Sequence, residues 1–123
     1  MVARAQGGQG ITFDEAVAYA LTLPDTERST HYGGPAVKIV SNGRAFLSVG
    51  HEPHEAFCLS IDRDTIELLK EIDPASFFQT PHYVGWDAVL VRYDSPDPAR
   101  VRETIARARD QAAAKKPAKS RRK

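Results

Sequence analysis

The sequence has a single cysteine, Cys58, so no disulfide can form within the chain. Without a partner cysteine or a matched histidine cluster, that thiol does not mark a zinc site either. A reducing compartment, the cytoplasm, is the expected setting. Long apolar runs are missing as well. The first ten residues hold no stretch that could form a signal-peptide core, and no later segment approaches the ~20 residues needed to cross a bilayer, so neither export nor a membrane partner is expected. Also lacking are a nucleophile elbow, a phosphate loop and a dinucleotide fingerprint, and no serine or cysteine stands in a context that identifies an activating base. The expectation is a protein that is not an enzyme and carries no cofactor.

What is present is enough for one domain: 41% of the 123 residues are hydrophobic, which can bury a modest core. The formal net charge of +1 hides an uneven distribution. Lys115, Lys116, Lys119, Arg121, Arg122 and Lys123 crowd the last nine residues with no acid among them. Residues 1–114 therefore set eleven basic side chains against all sixteen acids, a formal −5. Such a tail attracts any polyanion, whereas the body matches phosphate poorly unless its cations gather on one face.

Along the chain, the Gly- and Gln-rich residues 1–10 read as a disordered lead-in. Thr12 and Glu15 form a capping box ahead of Phe13, Ala16, Val17, Ala20 and Leu21, predicting a helix over 12–23 that Pro24 ends. Residues 25–35 are polar, aperiodic and close on Gly33-Gly34-Pro35, which predicts a connecting loop. Residues 36–40 and 45–49 are β-rich and flank Ser41-Asn42-Gly43, a strong hairpin signal. Residues 56–60 give a third strand, with Phe57, Leu59 and Ile61 on one face. Asp62 caps a helix through Ile66, Leu68, Leu69 and Ile72, which Pro74 forces to stop. Phe77 and Phe78 read as core anchors, residues 88–93 form the clearest strand, read as central in the sheet, and the segment just before it is expected to supply another strand. Asp97 and Pro98 open a last helix with Val101, Ile105, Ala108 and Ala112 on one stripe, ending near Ala114. Residues 115–123 read as a disordered basic tail, leaving 11–114 as the domain. The expected fold is α+β: two layers, an antiparallel five-stranded sheet with helices, in the order α-β-β-β-α-β-β-α.

That order, taken with the words Tyr32-Gly33-Gly34-Pro35-Ala36-Val37-Lys38-Ile39, Phe78-Gln79-Thr80-Pro81-His82-Tyr83-Val84-Gly85 and Val89-Leu90-Val91-Arg92, resembles the MmcQ/YjbR family of small bacterial proteins over roughly residues 11–112. The resemblance implies DNA binding of a "double wing" type, in which β-hairpins rather than a recognition helix approach the duplex. The same layering resembles the type III secretion chaperones, which implies a protein partner as the alternative. Arg107-Ala108-Arg109 departs from the family, which commonly has a large aromatic there.

On these grounds Lys38, Arg44 and Arg92 are the candidates to position a duplex, with His82, Tyr83 and Trp86 to stack or wedge. Lys115, Lys116, Lys119, Arg121 and Arg122 would add affinity without reading sequence. A further alternative is a small-ligand pocket near His82 and Trp86, which requires a concavity lined by those side chains. Each group has an ordinary reading: aromatics covering a core edge, lysines guarding a strand edge, a tail aiding solubility. His51 and His54 have a His-x-x-His spacing, but Pro53 prevents the helix that would align them, so no metal is expected. His31 with Asp25 and Glu27 has no metal-site spacing.

Overall fold

The computed structural model describes residues 10–31, 33–49 and 56–117. Each helix starts where a side chain satisfies amides that the first turn leaves unpaired. Thr12 and Glu15 form the reciprocal capping box of α1 (Phe13–Leu21). The Asp62 carboxylate accepts from the Thr65 amide at 2.9 Å to open α2 (Arg63–Ile72). Asp97 accepts from the Arg100 amide at 3.1 Å to open α3 (Pro98–Ala113), whose first residue, a proline, has no amide hydrogen to satisfy. Asp62 also joins two helices, because Gln111 of α3 donates to its carboxylate and accepts from its amide. These bonds, led by the Thr65 hydroxyl, hold the Asp62 carboxyl down at about 2.

The sheet is antiparallel throughout and has six strands. They are β1 (Thr26–His31), β2 (Gly34–Ile39), β3 (Ala45–Ser48), β4 (Ala56–Ser60), β5 (Phe77–Phe78) and β6 (Ala88–Arg92), in the spatial order β1-β2-β3-β4-β6-β5. The expected count of five was one short, and the order gains a strand after α1. The missed strand is β1, read from sequence as a loop. It lies at the sheet edge and buries no side chain fully, so it has no apolar alternation to reveal it. Backbone pairing with β2 over the whole strand defines it instead, with Glu27 opposite Lys38. The strand over 88–92 is internal, but it is second from the edge rather than central, because β5 is the short strand beyond it. The strand expected just before residue 88 is this one, at Phe77–Phe78, and the segment between is taken up by turns.

One face of the sheet packs on all three helices. Val37, Ile39, Leu47, Phe57, Leu59, Val89 and Val91 meet Val17 and Ala20 of α1, Ile66 and Leu69 of α2, and the stripe Val101, Ile105, Ala108 and Ala112 of α3 in one cluster. A register shift lets Phe46 as well as Leu47 enter this core. Ala108 is fully buried in this core, which lets α3 sit close to the sheet. The opposite face carries a small cluster of Ala56, Cys58, Tyr83 and Leu90, with Phe78 and Ala88 packed against it.

The connection between β2 and β3 has a second task. Gly43 takes φ 74° and donates to the Ile39 carbonyl at 2.8 Å, which closes the turn. The Asn42 amide then projects onto the end of α3 and donates to the carbonyls of Ala112 at 2.8 Å and Lys115 at 3.2 Å. The Ala112 carbonyl also accepts from the Lys115 amide at 3.2 Å, so the side chain supplements the weak backbone bonding of the helix end. The hairpin tip is thus the C-terminal cap of α3.

Candidate groove on the open sheet face

On each strand, the residues that alternate with the core set face away from the helices. In the middle of the sheet they are small. Ser48 of β3 lies opposite Cys58 of β4, and Ser60 of β4 lies opposite Ala88 of β6. Their neighbours Leu47, Phe57, Leu59 and Val89 fill the core on the other side. Small side chains in the middle of a sheet leave a depression, and here it measures about 710 Å³. Its floor is Ala45, Ser48, Cys58, Ser60 and Ala88, with His31 of β1 on one side and His82, Tyr83, Trp86 and Asp87 on the other.

The aromatic wall comes from the turns between β5 and β6. Tyr83 and Val84 donate to the Thr80 carbonyl at 2.8 and 3.2 Å, and Trp86 donates to the Tyr83 carbonyl at 2.9 Å. Gly85 has φ 91°, a backbone conformation that side-chain-bearing residues avoid. Gln79 ties the segment down, donating from its amide to the carbonyls of Tyr83 at 3.1 Å and Ala88 at 2.8 Å. Lys70 of α2 in turn donates to the Gln79 side chain at 2.8 Å. The wall is therefore built on hydrogen bonds rather than left as an open loop.

Its three aromatic residues have different positions. Tyr83 is 7% exposed and belongs to the small cluster on this face, whereas Trp86 is 67% exposed. The His82 and Tyr83 rings meet edge to face, 5.0 Å apart at 86°. Asp87 contributes a carboxylate, paired with Arg63 at 3.6 Å, both side chains being largely in water. Burial pushes the Cys58 thiol up to about 11, opposed by a hydrogen bond with Ser48. Burial, helped by the charge of Lys38, lowers the His31 pKa below its ordinary value.

The cations singled out from sequence do not share this geometry. Lys38 lies on β2, opposite Glu27 and Ala45, while Arg92 ends β6 opposite Ala56. Three strand spacings, about 14 Å, separate their strands, and the register places them toward opposite ends of the sheet. The Arg92 guanidinium stacks over the Phe78 ring, 4.1 Å from its centre. Arg44 turns toward the C-terminal segment, its Nε donating to the Lys116 carbonyl at 2.7 Å. Lys115 and Lys116 are exposed beside that turn. Lys119, Arg121, Arg122, His51 and His54 lie outside the described residues, as does Tyr32. Among the described residues no group of three potential ligands is placed to hold a metal, and no helix is long and apolar enough to cross a membrane.

Sequence reasoning named His82, Tyr83 and Trp86 but not the floor or His31. The signal was available: Ala56, Cys58 and Ser60 alternate with Phe57, Leu59 and Ile61, a small-large pattern that marks a strand whose second face is hollow. A second concavity, of about 630 Å³, lies between Thr12, Glu15, Tyr93 and Arg102, bordered by Gly10 where the described chain begins. No protein-family model, curated protein or solved structure matches the chain.

Proposed function

We propose that the protein is a small-ligand-binding domain and that the groove on the open sheet face is its site. The observation that carries this reading is the depression of about 710 Å³ that joins a floor of small residues to the exposed Trp86. That volume lies within the range of about 300–1,000 Å³ typical of small-molecule sites. A wall of aromatic side chains with a few hydroxyls fits the usual composition of such sites. Binding rather than catalysis is favoured by the chemistry of the lining, whose thiol is held neutral.

Membership of the MmcQ/YjbR family is part of the same proposal and rests on the quoted sequence words. Its double-wing corollary has less support in the body of the domain. The hairpin tip holding Asn42 and Arg44 is engaged with the end of α3, and Lys38 and Arg92 are far apart. The groove accounts for more of what is built.

A fragment mixture screened by Trp86 emission tests the reading, since Trp86 is the sole tryptophan. Fragments that shift the emission should lose affinity at least tenfold against Ser60→Leu, which fills the floor. Hits that bind Ser60→Leu as well as the natural chain would place binding elsewhere. A screen without hits would remove the proposal.

A further inference from the structure

The groove has a charge preference as well as a shape. Of the residues that line it, Asp87 alone is acidic and none is a lysine or arginine. Lys38, whose charge reaches His31, does not line it. An anionic ligand would find no lysine or arginine in the lining, and at the rim a carboxylate whose neighbour Arg63 is turned to Asp87 and to the Gly85 carbonyl at 3.1 Å. A cation would find that carboxylate, the exposed indole of Trp86, and the corner made by the His82 and Tyr83 rings at 86°. Ring faces attract ammonium groups within about 6 Å of their centres, and tryptophan does so best.

The long-range field points the same way. Residues 1–114 carry a formal −5, so the potential over the body of the domain favours a cation, while the six cations of the tail are concentrated beyond α3. The existing partner of Asp87 is no obstacle. Arg63 meets it at 3.6 Å with both side chains more than half exposed, and such surface pairs are weak enough for a bound ammonium to replace.

The geometry points to a small organic ammonium as the ligand, its cationic head between Trp86 and Asp87 and its apolar body over the floor at Cys58, Ser60 and Ala88. This rests on the groove being a ligand site and adds the ligand's charge and class. The hydroxyls of Ser48 and Ser60 leave room for one polar substituent on that body.

Three probes of nearly equal size separate the possibilities: 2-phenylethylammonium, 2-phenylethanol and 3-phenylpropanoate, titrated into the full chain by calorimetry at low salt. The ammonium should bind about tenfold tighter than the carboxylate, with the alcohol between them. Asp87→Asn should bring the ammonium close to the alcohol and leave the alcohol unchanged. Trp86→Leu should weaken the ammonium more than the alcohol. Because Asp87 and Trp86 are exposed, both variants should keep the thermal midpoint of the natural chain. Equal or tighter binding of the carboxylate, or a preference that survives Asp87→Asn, would overturn the ammonium inference while the groove stands. Failure of all three probes would also overturn it, and the groove reading would fall with it only if the wider fragment screen is empty.

Discussion

Cys58 illustrates how one side chain can sit in a candidate site and still be kept from reacting. Its position on the floor of the groove gives it contact with anything that binds there. Its burial removes the water that would stabilise a thiolate, and the Ser48 hydrogen bond offsets only part of that loss. A pKa raised to about 11 leaves about a hundredfold fewer thiolates at neutral pH than an ordinary cysteine has. The sign follows directly: the anion is the disfavoured form, so reactivity should be low at pH 7 and climb continuously as pH rises toward 11. Alkylation by iodoacetamide, followed by mass, should be at least about a hundredfold slower than in urea at the same pH. A ligand seated on the floor should slow it further. Rapid alkylation of the folded chain at pH 7 would mean that the thiol is neither buried nor neutral. The neighbours in the aromatic wall teach a related lesson. Tyr83 and Trp86 are three residues apart and look alike in sequence, yet the turn hides one in a cluster and leaves the other in water. Side-chain chemistry marked the segment, but exposure depended on how Gln79 and Gly85 fold the chain between them.

At the scale of elements, most of the fold was legible because its signals are local. Capping residues opened all three helices at the expected positions, and β4 occupies the residues its pattern implied. What was not legible depended on pairing between distant segments. Strand β1 exists because β2 offers it a hydrogen-bonding edge, and its polar residues carry no record of that. The groove floor likewise needs three strands side by side before its small residues become one depression. Asn42 is the sharpest case, since its turn was foreseen but its grip on α3, seventy residues away, was not. That grip has a measurable weight. Asn42→Ala removes the side-chain donor to the carbonyls of Ala112 and Lys115, leaving Ala112 only the Lys115 amide, and should lower stability by about 1 kcal/mol. Asn42→Asp keeps the shape but turns a donor into a charged acceptor facing carbonyl oxygens and the negative end of the helix dipole. It should cost more than the alanine change. Urea denaturation of the two variants decides the matter, and an aspartate variant as stable as the natural chain would mean that the amide caps nothing.

For the whole molecule, the division of charge decides which part meets which partner. An acidic domain and a basic C-terminal segment are joined at the turn where Arg44 holds the Lys116 carbonyl. Any attraction to nucleic acid must overcome the domain's formal −5, and the two sheet cations, though both on the open face, stand too far apart on it to form one patch. Duplex affinity should therefore come from the tail and disappear with salt. Each cation that displaces a counterion contributes about −0.9 to the slope of log affinity against log salt, so four tail cations contribute up to about −3.6. Replacing Lys119, Arg121, Arg122 and Lys123 with glutamine should remove most of that slope and at least tenfold in affinity at low salt. Replacing Lys38 and Arg92 with glutamine should change affinity less than about twofold. The comparison is decisive because the two quadruple and double variants address different surfaces of one chain. If Lys38 and Arg92 prove the costlier loss, the sheet itself approaches the duplex, and the double-wing reading displaces the groove as the account of what this domain is for.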